Sequence, residues 1–295
     1  MKNKPLVSIC MPVYNGEKTI HRAIECLINQ SYTNIELIIS NNCSTDDTKK
    51  ICLSYQKKYK FIKYFEQSKN LGSPKNFNFL LEISKGEFFM WACHDDEWNA
   101  EYVEDAVNLL TENESAVSAM GRVRVFSNNK KLIYEDLPDY KLDKNKKERL
   151  RNFIQYNYGD NLFFALHRKK NALCANFDTS VFGSEIIFIY KMLNHGKIIN
   201  SKKMVFTKNS VFHISKSNKL AQGKTKFEQK KIYNLNENFW TRHGMMIKLI
   251  LYTVRKIEFS ISLFILFDII CYRNPVVRFF RILPKDLKNR INNTY

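Results

Sequence analysis

Residues 7–16 read Val7-Ser8-Ile9-Cys10-Met11-Pro12-Val13-Tyr14-Asn15-Gly16. Residues 6–13 form a short apolar run rich in β-formers, the pattern of a buried strand. Asn15 and Gly16 then allow a tight turn. Directly beyond, Ile20, Ala23, Ile24, Leu27 and Ile28 recur at helical spacing, so the strand feeds a helix with one apolar face. The alternation continues outward. Residues 35–39 predict a second buried strand, and Ser44-Thr45-Asp46 offers N-caps to a helix carrying Ile51, Cys52, Tyr55 and Tyr59. Residues 61–65 and 88–92 predict two more strands, with Phe77, Leu80, Leu81 and Ser84 lining a helix between them. Strands alternating with helices predict parallel pairing and a doubly wound α/β sheet. Such sheets bind ligands beyond the carboxyl ends of their strands, here residues 12–15, 40–44 and 93–98.

Bulk composition is compatible with that core. The chain has 295 residues, 44% of them hydrophobic, which excludes a disordered polypeptide and suits one large α/β domain with an appended segment. Lys and Arg outnumber Asp and Glu by 47 to 29, for a formal charge of +18. Such an excess favours anionic partners, although a lysine-rich surface also serves solubility alone. A nucleic-acid-binding protein is one alternative class, but no helix-turn-helix, RNP or zinc-finger pattern occurs and the basic residues are scattered. Neither GxGxxG nor GxxxxGK[ST] occurs, which argues against a Rossmann oxidoreductase or a P-loop kinase. Seven cysteines, with no CxxC pair, read as reduced thiols of a cytoplasmic protein. The first five residues hold no apolar stretch suited to a signal peptide.

The second half is less regular. Residues 117–126 predict another strand, and the charged stretch 141–151 a loop leading into a helix. Residues 214–231 are polar and read as a loop. From 245 to 283 the chain is rich in Ile, Leu and Phe but punctuated by charge, and its longest charge-free piece, 259–267, is far below the ~18–20 apolar residues of a membrane span. Two readings stand side by side there: a basic amphipathic helix at an anionic membrane surface, or ordinary packing on the catalytic domain. The expected organisation is a domain over 1–235, with a nucleotide-binding half at 1–115 and an acceptor half at 116–235, followed by a helical, basic segment at 236–295.

The motifs at the predicted strand ends come in a definite order. After Tyr14-Asn15-Gly16 come Ser40-Asn41-Asn42-Cys43-Ser44-Thr45-Asp46, then Asn70-Leu71-Gly72 and Asn76, then Ala92-Cys93-His94-Asp95-Asp96-Glu97-Trp98. Together they resemble the inverting family two glycosyltransferases of GT-A fold. The likeness is close over about the first 110 residues and looser beyond. It implies hexosyl-type transfer from a nucleotide-sugar donor, uridine being the default base, to a glycan or lipid-linked saccharide, and the basic surface with the C-terminal stretch suggests work at the cytoplasmic face of a membrane. It also implies a divalent metal, Mg²⁺ or Mn²⁺, offsetting the charge of the departing diphosphate.

By the same resemblance, Pro12, Val13, Tyr14, Asn15, Asn42, Ser44, Asn70, Asn76, His94 and Asp95 line the nucleotide. Asp95 matches the metal-binding carboxylate, with Asp96 beside it, and His213 matches a residue that completes the metal or pyrophosphate site in some members. Glu185, in Phe182-Gly183-Ser184-Glu185, matches the general base, with Asp178 in reserve. Bland alternatives exist for each. Tyr14 would serve as a core tyrosine, Asp95-Asp96-Glu97 as a helix cap, Glu185 as an acid at a helix N-terminus, and His213 as a structural histidine. Two departures from the family pattern stand out. Asn41-Asn42 replaces the usual pair of aspartates, and Cys93 replaces the first acid of Asp-x-Asp. Both keep a catalytically inactive GT-A scaffold in view as an alternative.

Overall fold

The first strand, β1 (Val7–Val13), is buried at every residue and lies between two parallel neighbours, β2 (Ile35–Asn41) and β4 (Phe88–Trp91). Burial on both faces explains why its sequence is a continuous apolar run and not an alternating one. This computed structural model describes residues 4–209, apart from 128–129, 137–141, 143–144, 157–160, 176 and 178–183. His213, Asp178 and the segment 236–295 lie outside the described residues.

Helix α1 (Ile20–Ile28) buries Ile20, Ala23, Ile24 and Leu27, the i, i+3, i+4, i+7 face foreseen from spacing. Each of the larger side chains contributes about 1.5–3 kcal/mol by leaving water. Helix α2 (Thr48–Lys58) starts later than the capping residues suggest. Asp47 stands at its N-cap, and Asp46 accepts from the backbone N–H and the hydroxyl of Thr48. Strand β3 (Ile62–Glu66), parallel to β2, completes the outer edge, and α3 (Ser73–Ile83) leads into β4.

Beyond β4 the sheet changes character. The remaining elements are β5 (Glu97–Trp98), α4 (Tyr102–Glu112), β6 (Ala116–Phe126), β7 (Leu132–Asp136), α5 (Lys146–Tyr156), a 3-10 turn at Asn161–Phe164, β8 (Leu166–Arg168), α6 (Lys169–Ala175), α7 (Ser184–His195) and β9 (Lys197–Asn209). The order across the sheet is β3-β2-β1-β4-β8-β6-β9-β5, with β7 as a hairpin partner of β6. The first four strands are mutually parallel, β8 runs antiparallel to both its neighbours, and β6 and β9 are parallel again. Strands from both sides of residue 115 therefore share one sheet.

Two devices join the far side to the near side. Arg168 donates to the carbonyls of Ala116, Leu110 and Asn113, satisfying the exposed end of α4 and fixing it to the start of β6. An aromatic cluster fills the space behind β4. Trp91 stacks on Phe163 at 4.1 Å and 11°, meets the edge of Phe188 at 5.1 Å, and donates its indole N–H to the carbonyl of Phe77. His167, buried beside this cluster, bonds Ser118 and the carbonyl of Phe163, and burial pushes its pKa down to about 4. It is a neutral core histidine.

The β6–β9 pairing slips in register between Met120 and Arg122, where β9 carries extra residues past Gly121. A Cβ at Gly121 would sit 2.5 Å from the Met204 side chain and carbonyl, so only glycine admits this close crossing. Among the described residues no helix is long and apolar enough to cross a membrane.

Candidate nucleotide and metal site

Three loops leave the carboxyl ends of β1, β2 and β4. The structure locks them together through side chains chosen for hydrogen bonding. At the first, Pro12 and Val13 are buried while Tyr14 stands 46% exposed, so Tyr14 is not a core tyrosine. An exposed ring at the end of a buried strand is available to stack on a planar ligand. Asn15 adopts a positive φ of 52°, a conformation that asparagine tolerates. Its N–H donates to Ser44 Oγ at 2.9 Å, and its side-chain oxygen accepts the Thr45 N–H at 2.9 Å.

Gly16 donates to Thr48 Oγ1 at 2.8 Å, and the Glu17 N–H donates to Asp46 at 3.0 Å. Asp46 itself is pushed up by desolvation, but the hydrogen bonds from Thr48 and Glu17 outweigh this and hold its carboxyl below the usual range. It is a charged clasp between the first and second loops.

The second loop uses its two asparagines inward. Asn41 donates to the Tyr64 hydroxyl and accepts from Ser44. Asn42, 4% exposed, donates to Asn70 Oδ1 at 2.9 Å and accepts the Leu71 N–H at 2.8 Å. Asn70 also accepts the Gly72 N–H. Asn42 and Asn70 thus fix the stretch 70–72 against the end of β2. Asn76 is enclosed, with its oxygen accepting from Ser40 Oγ at 2.6 Å and its amide donating to the Ser40 carbonyl at 3.0 Å. Both ends of its amide hold the β2 end in place. Ser44 is part-exposed between Asn15 and Asn41.

The third loop carries the acids. Cys93, Asp95 and Asp96 each bring one donor atom into a group whose members all lie within 4.8 Å of one another. Helix α4 begins only at Tyr102, after Glu101, so none of the three acids in Asp95-Asp96-Glu97 caps it. The turn is held instead from two sides. Arg22 of α1 donates to the Asp95 carbonyl at 2.9 Å and pairs with Glu97 at 2.9 Å. Asn209, the last residue of β9, donates its backbone N–H to Asp96 Oδ1 at 3.1 Å and its amide to the Asp95 carbonyl and to Glu97, both at 3.0 Å. The two-residue strand β5 adds antiparallel pairing with Phe206 and Thr207.

The first and third loops touch. His94 Nδ1 meets the Thr19 hydroxyl at 2.8 Å, and a Cβ on Gly16 would come within 3.1 Å of the His94 ring. Burial lowers the pKa of His94 against the opposing pull of Asp95. The structure therefore brings Asn15, Ser44, His94 and Asp95 together at the strand ends, with Asp96 buried beside them and Tyr14 exposed between Val13 and Asn15. Sequence reasoning missed Arg22, Asp46 and Asn209 as its positioning residues. Arg22 carried only a generic surface signal, Asp46 read as a helix N-cap and not as a tie between loops, and Asn209 lies 113 residues from Asp96.

Glu185 lies in the first turn of α7, where an acid also suits the helix dipole. One turn on, Phe188 packs against Trp91, four residues before Asp95.

A mostly parallel sheet with loops gathered at its carboxyl edge and a carboxylate-rich turn after β4 defines an α/β protein of the class that places its ligand sites at that edge. The chain belongs to glycosyl transferase family 2, whose model matches residues 8–173. An uncharacterized glycosyltransferase of Rickettsia bellii is 37% identical over 145 residues, covering 48% of this chain and 20% of the relative. The match spans less than half the length of the first curated relatives. Among solved structures, S. aureus TarS 1-349 in complex with UDP-GlcNAc superposes with a TM-score of 0.61 at 18% identity, covering 96% of this chain and 77% of that one. Mannosyltransferase PcManGT from Pyrobaculum calidifontis, in complex with GDP-Man and Mn²⁺, gives 0.53 at 13% identity over 95% and 84%. These likenesses establish the GT-A fold.

Proposed function

We propose that this chain transfers a sugar from a nucleotide-sugar donor, with a uridine diphosphate leaving group, to a glycan or lipid-linked saccharide, with inversion at the anomeric carbon. The observation that carries this reading is the Cys93–Asp95–Asp96 group, pinned beside the exposed Tyr14 loop at the end of the central strand. The nucleotide would lie along Tyr14, Asn15 and Ser44, with Asn42, Asn70 and Asn76 shaping the floor beneath it. Asp95 and Asp96 offer hard oxygen ligands, and a Mg²⁺ or Mn²⁺ ion held there would stabilise the diphosphate as it leaves.

Glu185 is the proposed base. It removes the proton from an acceptor hydroxyl as that oxygen bonds to the anomeric carbon, while the bond to the β-phosphate oxygen breaks with its electron pair. UDP-GlcNAc in the TarS complex supports the donor class, and Mn²⁺ in the PcManGT complex supports the cation. The basic charge of +18 favours an anionic membrane surface as the place of work.

A thermal-shift titration with UDP, GDP, CDP and TDP, each with and without Mn²⁺, tests the reading on wild type and Asp95→Ala. A ligand that binds only the folded state raises stability by about 2.7 kcal/mol at a hundredfold excess over Kd. A metal-dependent shift with UDP that disappears in Asp95→Ala is expected. No shift with any nucleotide, for a folded protein, would replace this reading with an inactive scaffold.

A further inference from the structure

We propose that the Cys93 thiolate is a third protein ligand to the cation, and that it sets which cation the site prefers. The proposal rests on the metal-assisted reading above, and it concerns a position where the family resemblance leads one to expect an acid.

The geometry that points to it is the shared spacing of the three donors. Cys93 Sγ and one carboxylate oxygen each from Asp95 and Asp96 lie within 4.8 Å of one another. Bonds of ~2.3 Å to sulfur and ~2.0–2.2 Å to oxygen place donors around one ion ~3–3.6 Å apart, so binding draws the three side chains together by rotation on this one turn. The frame around the three is already fixed. Asp96 is 2% exposed and held by the Asn209 N–H, and the Asp95 backbone is held by Arg22 and Asn209. Cys93 itself is anchored, since its carbonyl accepts the Asp96 N–H at 3.3 Å. The thiol therefore stands on the same short turn as both carboxylates and not on a loop that must travel.

The chemistry follows from ligand softness. An all-oxygen site suits Mg²⁺ and Mn²⁺, whereas a thiolate moves preference along the divalent series toward Co²⁺ and Zn²⁺. Binding converts the thiol to a metal-bound thiolate and releases its proton to solvent, so charge and protons balance without an oxidant. Replacing an expected carboxylate with a thiol thus keeps one anionic ligand in the bound state while lowering affinity for Mg²⁺.

The test is spectroscopic. Co²⁺ is titrated into the full chain, kept reduced with a phosphine, with and without UDP, and near-ultraviolet thiolate-to-cobalt charge-transfer absorption is followed. One equivalent should develop the band in wild type. Cys93→Ser and Asp95→Ala should both abolish it and weaken Co²⁺ binding by about tenfold or more. Cys93→Asp should bind Mg²⁺ more tightly than wild type by a similar factor.

No band in wild type under either condition overturns the proposal, even where UDP binds. A band that survives Cys93→Ser overturns it by assigning the signal to another thiol, and one that survives only Asp95→Ala separates the thiol from the carboxylates and overturns it as well. Failure of UDP to bind with any cation would sink the nucleotide reading, while the cobalt band in the absence of UDP would still decide the ligand assignment.

Discussion

The backbone N–H of Asn209 donates to Asp96 at 3.1 Å, so the last residue of β9 positions an acid 113 residues earlier in the chain. The Asn209 side chain adds two more bonds, to the Asp95 carbonyl and to Glu97. Asn209→Ala keeps the backbone contact and removes the other two. Metal-dependent nucleotide binding should weaken by about 10–100-fold, the usual cost of losing support around a metal site. Calorimetric titration of UDP with Mn²⁺ measures it, and unchanged affinity would show that Arg22 alone suffices to hold the turn.

Gly16 is where the first loop meets the third. A Cβ there would stand 2.6 Å from Val13 Cγ2 and 3.1 Å from His94 Nδ1. Gly16→Ala must move the Val13 side chain and should press on the imidazole enough to strain the Thr19–His94 contact. Overpacking of this kind costs about 1–3 kcal/mol, so both melting temperature and nucleotide affinity should fall. Retention of both would mean that Val13 and His94 yield freely.

Glu185 and Asp95 should separate in kinetics. Glu185→Gln is expected to cut the rate of sugar transfer by about 10²–10⁴-fold while leaving the thermal shift with UDP and Mn²⁺ unchanged. Asp95→Ala should lose both. If Glu185→Gln transfers sugar at the wild-type rate, the residue serves only the start of α7.

Glu36 should contribute to the loss of stability at low pH, together with Asp46. It is 4% exposed, accepts from Ser8 Oγ at 2.5 Å and the Lys85 N–H at 2.7 Å, and pairs with Lys63 at 2.5 Å. Burial pushes its carboxyl up, but the bonds from Lys63, Ser8 and Lys85 outweigh this and hold it below its ordinary value of 4.5. A depressed folded pKa contributes stability above the unfolded value and loses it as pH falls through the folded one. Melting temperature should therefore decline below pH 4.5 in wild type. Glu36→Gln should cost about 1–3 kcal/mol at neutral pH and flatten that decline. Parallel curves for the two proteins would contradict the assignment.

The legibility of this fold tracked the locality of its signals. The continuous apolar runs of β1, β2 and β4 and the helical face of α1 are readable within windows of ten residues, and each matches the structure to within a residue or two. The parallel order of the first four strands follows from their alternation with helices. Strand β9 was not legible, because its 13 residues mix Lys, Ser, Asn and Thr among the apolar positions and only part of each face is buried. Strand β5 is two residues long and exists only because β9 reaches it.

For the candidate site, the acids after β4 and the loop after β1 could be read from residue type. The inward commitment of Asn42 and Asn76 could not, since an amide that binds a ligand and one that braces a loop look alike in sequence. Nor could the clasp formed by Arg22, Asp46 and Asn209, whose partners lie from 2 to 114 residues away.

The dependence of the acidic turn on β9 sets an order of events during synthesis. Asn209 leaves the ribosome 114 residues after Asp95, a delay of roughly 6–23 s at about 5–20 residues per second. Until then β5 has no strand to pair with and the Asp95 carbonyl lacks one of its two donors. A nascent chain can lay down β1 to β4 and their helices early, yet the acidic turn is fully braced only when translation has passed residue 209. Local strand formation and completion of this turn are thereby separated in time, because β5 and its bracing both wait for β9.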